Sequence, residues 1–428
     1  MKELNIAIIG LGNIGSYLFK YLNDNKKILT EKNNCLPIIK YVSARNKKKK
    51  RNIKIKKNQW LKNYLDSTKI KDVDLIIELI GGAEGPAKKL VFNALKNKKH
   101  VVTANKALIS KYGDQLSKIA EQNKVNLEFE AAVCGGVPII RSLKEGLIAN
   151  KIQKIYGIFN GTSNYILSSM DKKSKDFSDV LSDAKKLGYA ESNPSADLNG
   201  DDVSSKLKIL SSLCFNSFLN NNVYVEGIKH IDKTDIDNAN RLGYKIKLLG
   251  FAELFNNKIY QRVHPTLIKN NSYVASIDGV LNVVIIDGKP VGQSTIQGEG
   301  AGPAATTSAL VSDISSILRG NIKFPFSLSS KERKRLKFEK ISDRFFSAYL
   351  RFEVIDKQGI LSNITNIFYK NKVSIKRLVQ NPDKNKKSSS IIIITHKSKD
   401  KFLNKILKEV SKKKYIKHKP KLIRIDDN

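Results

Sequence analysis

Residues 4–15 read LNIAIIGLGNIG, a short apolar run followed by three glycines spaced as G-x-G-x-x-G. Residues 4–9 have the pattern of a buried strand, and the amphipathic residues 16–23 predict a helix directly after the turn. Glycines between a strand and a helix let backbone amides approach a pyrophosphate at the positive end of the helix. The stretch therefore predicts a Rossmann-type, dinucleotide-binding domain of the α/β class, with the cofactor contacted by Gly10, Gly12, Asn13, Ile14 and Gly15.

The second predicted strand, residues 37–44, ends in Arg45 and runs into NKKKKR at residues 46–51. A site for NAD usually has an acidic residue after this strand to hold the ribose 2'-hydroxyl, and none is present here. The guanidinium of Arg45 could instead bind a 2'-phosphate through two hydrogen bonds. The sequence thus favours NADP and keeps NAD as the alternative. The lysines at residues 47–50 either form a solvated loop without a specific role or attract phosphate groups through their general positive charge.

Two more strands are predicted at residues 74–80 and 100–103, with a helix between them at residues 85–97. In an open parallel sheet, such strand ends face the cofactor crevice. We therefore expect Gly81, Thr103 and Lys106 to lie near the nicotinamide half of the cofactor.

Residues 202–215, DVSSKLKILSSLCF, have a helical apolar period that places Asp202 and Lys206 on one face, four residues apart. An exposed ion pair is the simplest interpretation of this spacing. The preceding loop favours a functional site instead, because it carries further carboxylates, among them Glu191 and Asp197, to the start of the helix. We expect these carboxylates to lie at the N-terminus of the helix that presents Asp202 and Lys206 at the edge of a buried surface.

The 428 residues suffice for two or three domains, and the formal net charge is +37. Such a charge is typical of proteins that bind nucleic acid, so a nucleic-acid-binding regulator is the rival from another functional class. The lysines, however, are spread over every segment, and aromatic residues do not interleave with the basic runs as a stacking platform requires. We therefore expect no nucleic-acid partner.

Three widely spaced cysteines, Cys35, Cys134 and Cys214, include no C-x-x-C pair and suggest neither a disulfide framework nor a zinc site. No stretch approaches the roughly 18 apolar residues of a membrane span. We expect a cytoplasmic protein without membrane contact.

Taken together, these segments resemble the homoserine dehydrogenase family over essentially the whole chain. The resemblance rests on GLGNIG at residues 10–15, VTANKALI at 102–109, EAAVCGGVPII at 130–140, GIFNGTSNYIL at 157–167, LGYAE at 187–191 through Lys206, KLLGFA at 247–252 and GEGAG at 298–302. It implies reversible reduction of L-aspartate 4-semialdehyde to L-homoserine by NAD(P)H, in threonine and methionine biosynthesis. The alternative is another Rossmann dehydrogenase acting on an amino-acid-derived aldehyde or alcohol.

The resemblance also implies roles for the polar residues. Lys206 would be the acid that protonates the developing alkoxide, Asp202 would orient the reacting oxygen or the proton path, and Lys106 would be a second active-site lysine at the cofactor edge. Glu191 and Asp197 would hold the ammonium group of the substrate. Gly300 would join the cofactor-binding residues.

The segment EAAVCGGV at residues 130–137 resembles the monovalent-cation loop of the family. In that loop the carboxylate of Glu130 and the backbone carbonyls of Val133, Gly135 and Val137 would bind an ion, with sodium expected. A rival interpretation makes Cys134 a nucleophile toward the aldehyde. No histidine lies nearby in sequence to activate it, which favours an inert, packed thiol.

The predicted organisation has four parts. A Rossmann domain occupies residues 1–130 and is completed by 303–320, an α+β catalytic and dimerisation domain occupies 131–302, and a polar connector occupies 321–344. Residues 345–428 follow as strand, helix, strand, strand, helix, strand, which predicts a ferredoxin-like domain.

In that last part, DKQGIL at residues 356–361 resembles the strand-to-helix loop of ACT domains, although Gln358 replaces their common proline. The resemblance implies an amino-acid effector such as threonine, in a homodimer or homotetramer. The alternative is a domain that only assists oligomerisation.

Overall fold

The computed structural model describes residues 2–383 and 388–426. The strands are β1 (Lys2–Ile9), β2 (Cys35–Ser43), β3 (Leu75–Glu78), β4 (His100–Thr103), β5 (Leu127–Glu128), β6 (Lys151–Ile158), β7 (Tyr224–Val225), β8 (Tyr244–Phe255), β9 (Lys258–Lys269), β10 (Leu281–Lys289), β11 (Gly292–Glu299), β12 (Lys337–Phe338), β13 (Phe345–Ile355), β14 (Ile375–Asp383), β15 (Ser388–Thr395), β16 (Ser398–Lys399) and β17 (Lys421–Ile425).

The helices are α1 (Asn13–Asp24), α2 (Lys26–Asn33), α3 (Pro86–Lys96), α4 (Lys106–Asn123), α5 (Ile139–Arg141), α6 (Gly161–Lys173), α7 (Phe177–Lys186), α8 (Ser195–Asn199), α9 (Asp201–Cys214), α10 (Lys233–Arg241), α11 (Pro303–Leu318), α12 (Ile360–Lys370) and α13 (Asp400–Val410). Within the described residues, none of them is both long and apolar enough to cross a membrane.

The first part of the chain forms a parallel sheet in the order β2-β1-β3-β4-β5. Its strands are short and apolar, and Ile6 and Ile8 of β1 are completely buried. The helix α1 begins at Asn13, three residues before the start that the apolar pattern predicted, because Gly12 already acts as its N-cap residue. The carboxyl ends of β1, β3 and β4 lie at one edge, so the glycine-rich turn, Gly81 and Lys106 face the same crevice. This is the predicted Rossmann-like arrangement.

The helix α11 returns from later in the chain and packs against α1 and β4. Its residues Leu310, Ile314 and Ile317 belong to the same hydrophobic core as Ile6 and Ile8 of β1. The parallel sheet is therefore covered on this side by a segment from about 300 residues further along the chain.

The second sheet is mixed and follows the order β11-β10-β6-β8-β9-β17-β13-β15-β14 among the described strands. The helix α9 packs against β6 and β8, and α6 packs against β8 and β10. The apolar face of α9, including Val203, Leu207 and Leu210, is buried against this sheet. The sheet thereby fixes the two helices whose N-terminal ends approach the crevice.

Residues 345–383 and 388–426 contain the predicted helices and strands in the predicted order, together with one further short strand, β16, and the strand order is β17-β13-β15-β14. The second strand of this part in chain order, β14, begins at Ile375, and the second helix, α13, begins at Asp400. The strand β17 lies between β13, to which it is antiparallel, and β9, to which it is parallel through Arg424 and Thr266. One continuous sheet thus joins this part to the preceding one.

The segment 321–344, which was predicted as a polar connector, also contains residues that pack into the core. Phe326 is completely buried, with its ring centroid 5.2 Å from that of Phe129, and Arg333 is buried as well. The strand β12 pairs with β9. The run KERKRLK at residues 331–337 contains one buried residue, Arg333, among residues that are exposed or partly exposed.

Candidate active site

A cavity of about 560 Å³ lies between the glycine-rich turn of the parallel sheet and the loop before α8. Lys106 at the start of α4 and the pair Asp202 and Lys206 on α9 line it together. Residues about 100 positions apart in sequence therefore share one site, at the carboxyl edge of the parallel sheet.

Asp202 lies between the two lysines. Its Oδ1 is 2.8 Å from the Nζ of Lys106, and its Oδ2 is 2.8 Å from the Nζ of Lys206. The Nζ of Lys206 also donates to the backbone carbonyl of Phe159 at 2.6 Å. Asp202 is 5% exposed and Lys206 is 8% exposed, so this pair is not the surface ion pair that the spacing alone would suggest. We refer to Lys106, Asp202 and Lys206 as the catalytic cluster.

The opposite charges in the catalytic cluster stabilise one another in their ionised forms. Burial alone would raise the pKa of Asp202, but the charges of Lys206 and Lys106 outweigh burial and hold that pKa below its ordinary value. Burial would lower the pKa of Lys206, but the Asp202 carboxylate outweighs it and raises that pKa. At neutral pH the cluster therefore presents an ammonium group that can donate a proton, next to a carboxylate that stays ionised.

Local sequence explains where the two helices begin. The side chain of Asn105 caps α4 by accepting from the N–H of Leu108, and its amide donates to the carbonyl of Gly82 at 2.8 Å. The helix α9 begins after Gly200, whose φ of 87° reverses the chain. Asp202 then lies in the first turn, where a negative charge is favoured by the helix dipole.

Asn160 is a member of the site that residue-by-residue reasoning missed. Its Nδ2 donates to Asp197 at 2.7 Å and to Asp202 at 2.8 Å, while its Oδ1 accepts from the N–H of Ser163 and caps α6. The cap fixes the orientation of the amide, and the amide holds two carboxylates side by side. The only sequence signal was its place in the segment at residues 157–167.

Glu191 and Asp197, the predicted substrate-binding acids, both line the cavity. Asp197 is half-buried, and burial raises its pKa, with the charge of Asp202 adding to the effect and the amide of Asn160 opposing it. Glu191 is exposed at the rim. Two carboxylates that no lysine of the catalytic cluster neutralises directly are suited to a cationic group on a bound molecule.

The glycine-rich turn has no room for side chains at two of its three glycines. A Cβ on Gly10 would lie 2.4 Å from the carbonyl oxygen of Leu79, and a Cβ on Gly15 would lie 2.1 Å from the carbonyl oxygen of Gly10. Gly12 faces open space, which leaves its backbone accessible to a ligand. Asn13 begins α1, so the N-terminal end of this helix is available for a phosphate, as the dinucleotide prediction requires.

Ile14 and Gly300 of the predicted cofactor set line the cavity itself. Gly300 packs against Gly135, and a Cβ on Gly300 would lie 2.3 Å from the side chain of Asn282. Only glycine fits between these neighbours, so Gly300 brings backbone to the cavity wall.

Thr103 lies at the end of β4, but it is not among the residues that line the cavity. It is completely buried, and its hydroxyl donates to Glu78 at 2.6 Å. The other Glu78 oxygen accepts from the backbone N–H groups of Ile80 and Gly81 at 2.7 and 2.9 Å. Glu78, which sequence reasoning missed, thus shapes the loop that carries Gly81, and Thr103 supports Glu78.

Arg45 follows β2 and is exposed. The organising residue of its loop is Arg51, which the sequence analysis did not single out. The Nε of Arg51 donates to the carbonyl of Leu11 at 2.9 Å, and its Nη2 donates to the carbonyl of Asn46 at 2.8 Å. The basic loop is therefore tied to the glycine-rich turn, while Arg45 and the lysines at residues 48–50 are exposed to solvent.

The predicted cation loop contains a buried carboxylate. Glu130 accepts from the backbone N–H groups of Ile140 and Arg141 at 2.8 and 2.7 Å, and burial raises its pKa to about 7. The nearby cations are paired elsewhere, since Arg141 contacts Glu145 and Lys144 contacts Glu128.

The backbone reverses at Cys134 and Gly135, with φ values of 57° and 53°. A buried carboxylate in a tightly turned loop of backbone carbonyls, from Val133 to Val137, is a donor set of oxygens that fits a hard cation of low charge.

Cys134 lines the cavity but is only 1% exposed. Burial raises the pKa of its thiol to about 11. A thiol that stays protonated at neutral pH is a poor nucleophile, so the structure agrees with the inert interpretation.

Comparison with known proteins places this geometry in a family. A family model described as homoserine dehydrogenase matches residues 138–315, and the model of the homoserine dehydrogenase NAD-binding domain matches residues 10–130. The chain is 38% identical to a homoserine dehydrogenase of Neisseria gonorrhoeae, with 94% of each chain covered.

Two further relatives extend the match over the full length. The chain is 36% identical to a homoserine dehydrogenase of Helicobacter pylori, with 100% of each chain covered. The crystal structure of a homoserine dehydrogenase from Thiobacillus denitrificans superposes with a TM-score of 0.92 at 35% identity, covering 100% of this chain and 99% of the other. The chain therefore belongs to the homoserine dehydrogenase family, a family of oxidoreductases with an NAD(P)-binding domain.

Proposed function

We propose that the catalytic cluster interconverts L-aspartate 4-semialdehyde and L-homoserine, with Lys206 as the group that moves the proton. The observation that carries this proposal is the position of the Lys206 ammonium, which is buried, held by Asp202 and the Phe159 carbonyl, and lines the cavity. The pathway implied is the biosynthesis of threonine and methionine.

A bound nicotinamide would supply or accept the hydride at the carbonyl carbon. In reduction, Lys206 donates a proton from Nζ to the oxygen that becomes the hydroxyl of homoserine, and in oxidation the neutral amine takes that proton back. Lys106, whose ammonium lies on the other oxygen of Asp202, stabilises negative charge on the reacting oxygen. Asp202 orients both lysines.

The ammonium group of the substrate is held by Asp197 and Glu191. Asp197 is fixed by Asn160, while Glu191 at the rim reaches the same cavity from the loop before α8. This division gives a cationic substrate one rigid and one adaptable partner.

The preferred cofactor is NADP. The proposal is supported by the absence of an acidic residue after β2, by the exposed guanidinium of Arg45 and by the loop that Arg51 ties to the glycine-rich turn. Gly10, Gly12, Asn13, Ile14 and Gly15 would hold the pyrophosphate, while Gly81, Lys106, Gly300 and the backbone of Thr103 would form the nicotinamide side.

The carboxylate of Glu130 and the backbone carbonyls of Val133, Gly135 and Val137 would hold a monovalent cation, with sodium as the candidate. Its role is structural: it would neutralise the buried carboxylate and fix the turn whose Gly135 packs against Gly300. No reaction step involves it.

Residues 345–428 form an ACT domain of ferredoxin-like fold that binds an amino acid, with threonine as the first candidate. The strand order β17-β13-β15-β14 and Gly359, whose φ of 81° turns the chain into α12, support this assignment. The domain limits given above and a homodimeric or homotetrameric assembly belong to the same proposal.

Initial rates of homoserine oxidation with NADP and with NAD, each with and without threonine, test these assignments together. We expect NADP to give the higher kcat/KM, threonine to lower the rate, and the oxidation rate to rise with pH, because Lys206 must lose its proton to act as base. A rate that falls between neutral and alkaline pH in the stable range of the enzyme would contradict the role of Lys206. A preference for NAD would contradict the role of Arg45.

A further inference from the structure

Arg333 in the segment 321–344 makes contacts that the proposed chemistry does not explain. Its side chain is completely buried. Its Nη2 lies 2.7 Å from the Oδ1 of Asp114, 2.8 Å from the Oγ of Ser212 and 2.7 Å from the carbonyl oxygen of Ser217. Its Nε also donates to the carbonyl of Ser217. One guanidinium therefore connects three points of the main fold.

Two of those points are on the two helices of the catalytic cluster, and the third follows one of them. Asp114 is on α4, Ser212 is on α9, and Ser217 follows the end of α9. The two helices pack against each other, and both begin at the cavity. At a rise of about 1.5 Å per residue, Asp114 lies about 12 Å along α4 from Lys106, and Ser212 lies about 9 Å along α9 from Lys206. The arginine thus joins the helices about two turns away from the reacting groups.

Aromatic side chains pack around Arg333 and restrict its movement. The guanidinium carbon of Arg333 lies 4.3 Å from the ring centroid of Phe326 and 5.0 Å from that of Phe218. A Cβ placed on Gly113 would lie 2.8 Å from the ring of Phe326, so the neighbour of Asp114 is a glycine because the aromatic ring packs directly on α4. A planar, always charged group can bridge several acceptors while stacking on rings, which a lysine cannot do.

We propose that Arg333 is a positioning residue for the reaction: it fixes the register of α4 against α9 and thereby the contact of Lys106 with Asp202. This inference rests on the proposed roles of Lys106, Asp202 and Lys206. The 2.8 Å contact joins one helix to the other, so a slide of about 1 Å between them would lengthen or break it, and errors of that size can reduce turnover about 100-fold.

The test compares full-length Arg333→Met and Arg333→Lys with Lys331→Met, a change at an exposed lysine two residues earlier. We expect Arg333→Met to lower kcat about 10-fold or more, with the KM for the cofactor nearly unchanged, and Arg333→Lys to be intermediate. Lys331→Met should match the wild type. Melting curves must show that each variant is folded at the assay temperature.

A merely structural arginine would lower stability without this kinetic pattern, and a double-mutant cycle separates the two roles. In a Lys106→Met background, Arg333→Met should lower kcat less than about twofold further, because the contact it positions is already lost. A folded Arg333→Met enzyme with wild-type kcat, or the same loss of kcat in both backgrounds, would overturn the proposal.

Should Arg333→Met fail to fold, Asp114→Asn serves in its place. Asp114 is partly exposed and the substitution keeps its shape while weakening the ion pair, so the same drop in kcat is expected and wild-type kcat overturns the proposal. The outcome is distinguishable from failure of the proposed chemistry, which would show as an active Lys206→Ala enzyme whatever Arg333 does.

Discussion

Two clusters of ion pairs stand in contrast in this molecule. The catalytic cluster holds one carboxylate between two lysines and opens onto a cavity of about 560 Å³. The second, which we call the interface cluster, joins the last part of the chain to the catalytic sheet. It consists of Arg351 and Lys421 with Asp232 and Asp235, and of Arg424 with Glu226 and Asp400.

The two clusters differ in the type of cationic side chain and in whether their charged groups line a cavity. The interface cluster relies chiefly on arginine, which stays protonated under all ordinary conditions, and Arg424 is only 2% exposed. The catalytic cluster relies on lysine, which can give up a proton, and its groups line a cavity. Burial and ion pairing alone therefore do not identify a reactive site; an exchangeable proton next to accessible space does.

The strongest test of the comparison is Lys206→Ala. We expect kcat to fall about 100- to 10,000-fold, the usual range for loss of a positioned proton donor, while the affinity for the cofactor changes little. Steady-state kinetics and cofactor titration measure both quantities. The matched control is Lys208→Met on the same helix, outside the cavity lining, which should keep its rate. Retention of a third of the wild-type rate by Lys206→Ala would remove Lys206 from the mechanism.

The converse test is Arg424→Met in the interface cluster. It leaves Glu226 and the buried Asp400 without their common partner, which should cost about 3 to 5 kcal/mol of unfolding free energy. Denaturant unfolding measures that cost, and kcat per folded molecule should change far less than in Lys206→Ala. The exposed Lys414→Met is the control. A large loss of kcat at wild-type stability would show that the interface cluster takes part in the reaction.

Asp202→Asn tests whether the carboxylate of the catalytic cluster serves both turnover and stability. It should lower kcat, because Lys106 and Lys206 lose their common anchor, with the fold retained. Since the folded pKa of Asp202 is below its unfolded value, its stabilising contribution is present above that unfolded value and is lost as the pH falls through the folded pKa.

Melting temperatures measured from neutral pH down to about pH 3 should therefore fall less steeply in Asp202→Asn than in the wild type. If the melting temperatures of the two proteins fall equally with decreasing pH, the ion pairs of Asp202 contribute nothing to stability. If Asp202→Asn keeps the wild-type kcat, Asp202 has no role in turnover.

The smallest effect is expected from substitution of the exposed Arg45. Arg45→Ala should raise the KM for NADP about 10-fold and the KM for NAD little, because only NADP carries the phosphate that a guanidinium binds with two hydrogen bonds. Changing the lysines at residues 48–50 together to serine is the control and should act weakly, mainly at low salt. Equal effects of Arg45→Ala on both cofactors would refute its role as the phosphate ligand.

The sequence predicted those features whose parts are close together along the chain. The strand, turn and helix around Gly10 to Gly15 form one local unit, and the spacing of Asp202 and Lys206 is a property of a single helix. These patterns depend only on helix and strand periodicity, so they could be recognised before the structure was known.

The features that could not be predicted depend on partners far apart in sequence. Asn160 acts through carboxylates about 40 residues later, and Arg333 acts through residues more than 100 positions earlier. Thr103 was placed at the correct strand end, but the direction of its side chain depends on Glu78 in the neighbouring strand. The burial of Arg333 could not be predicted from the polar run at residues 331–337 either, because the other six of its seven residues are not buried.

The pairing of β17 with β9 also has a consequence for the order of folding. Thr266 and Arg424 are about 160 residues apart in sequence, so their pairing closes a very long loop, and we expect it to form late in folding. Until then the edge of β9 that β17 will cover exposes unpaired backbone groups, and such an edge can recruit strands of other chains. Refolding yield should therefore fall as protein concentration rises, and a free peptide with the β17 sequence should protect the folding chain by covering that edge.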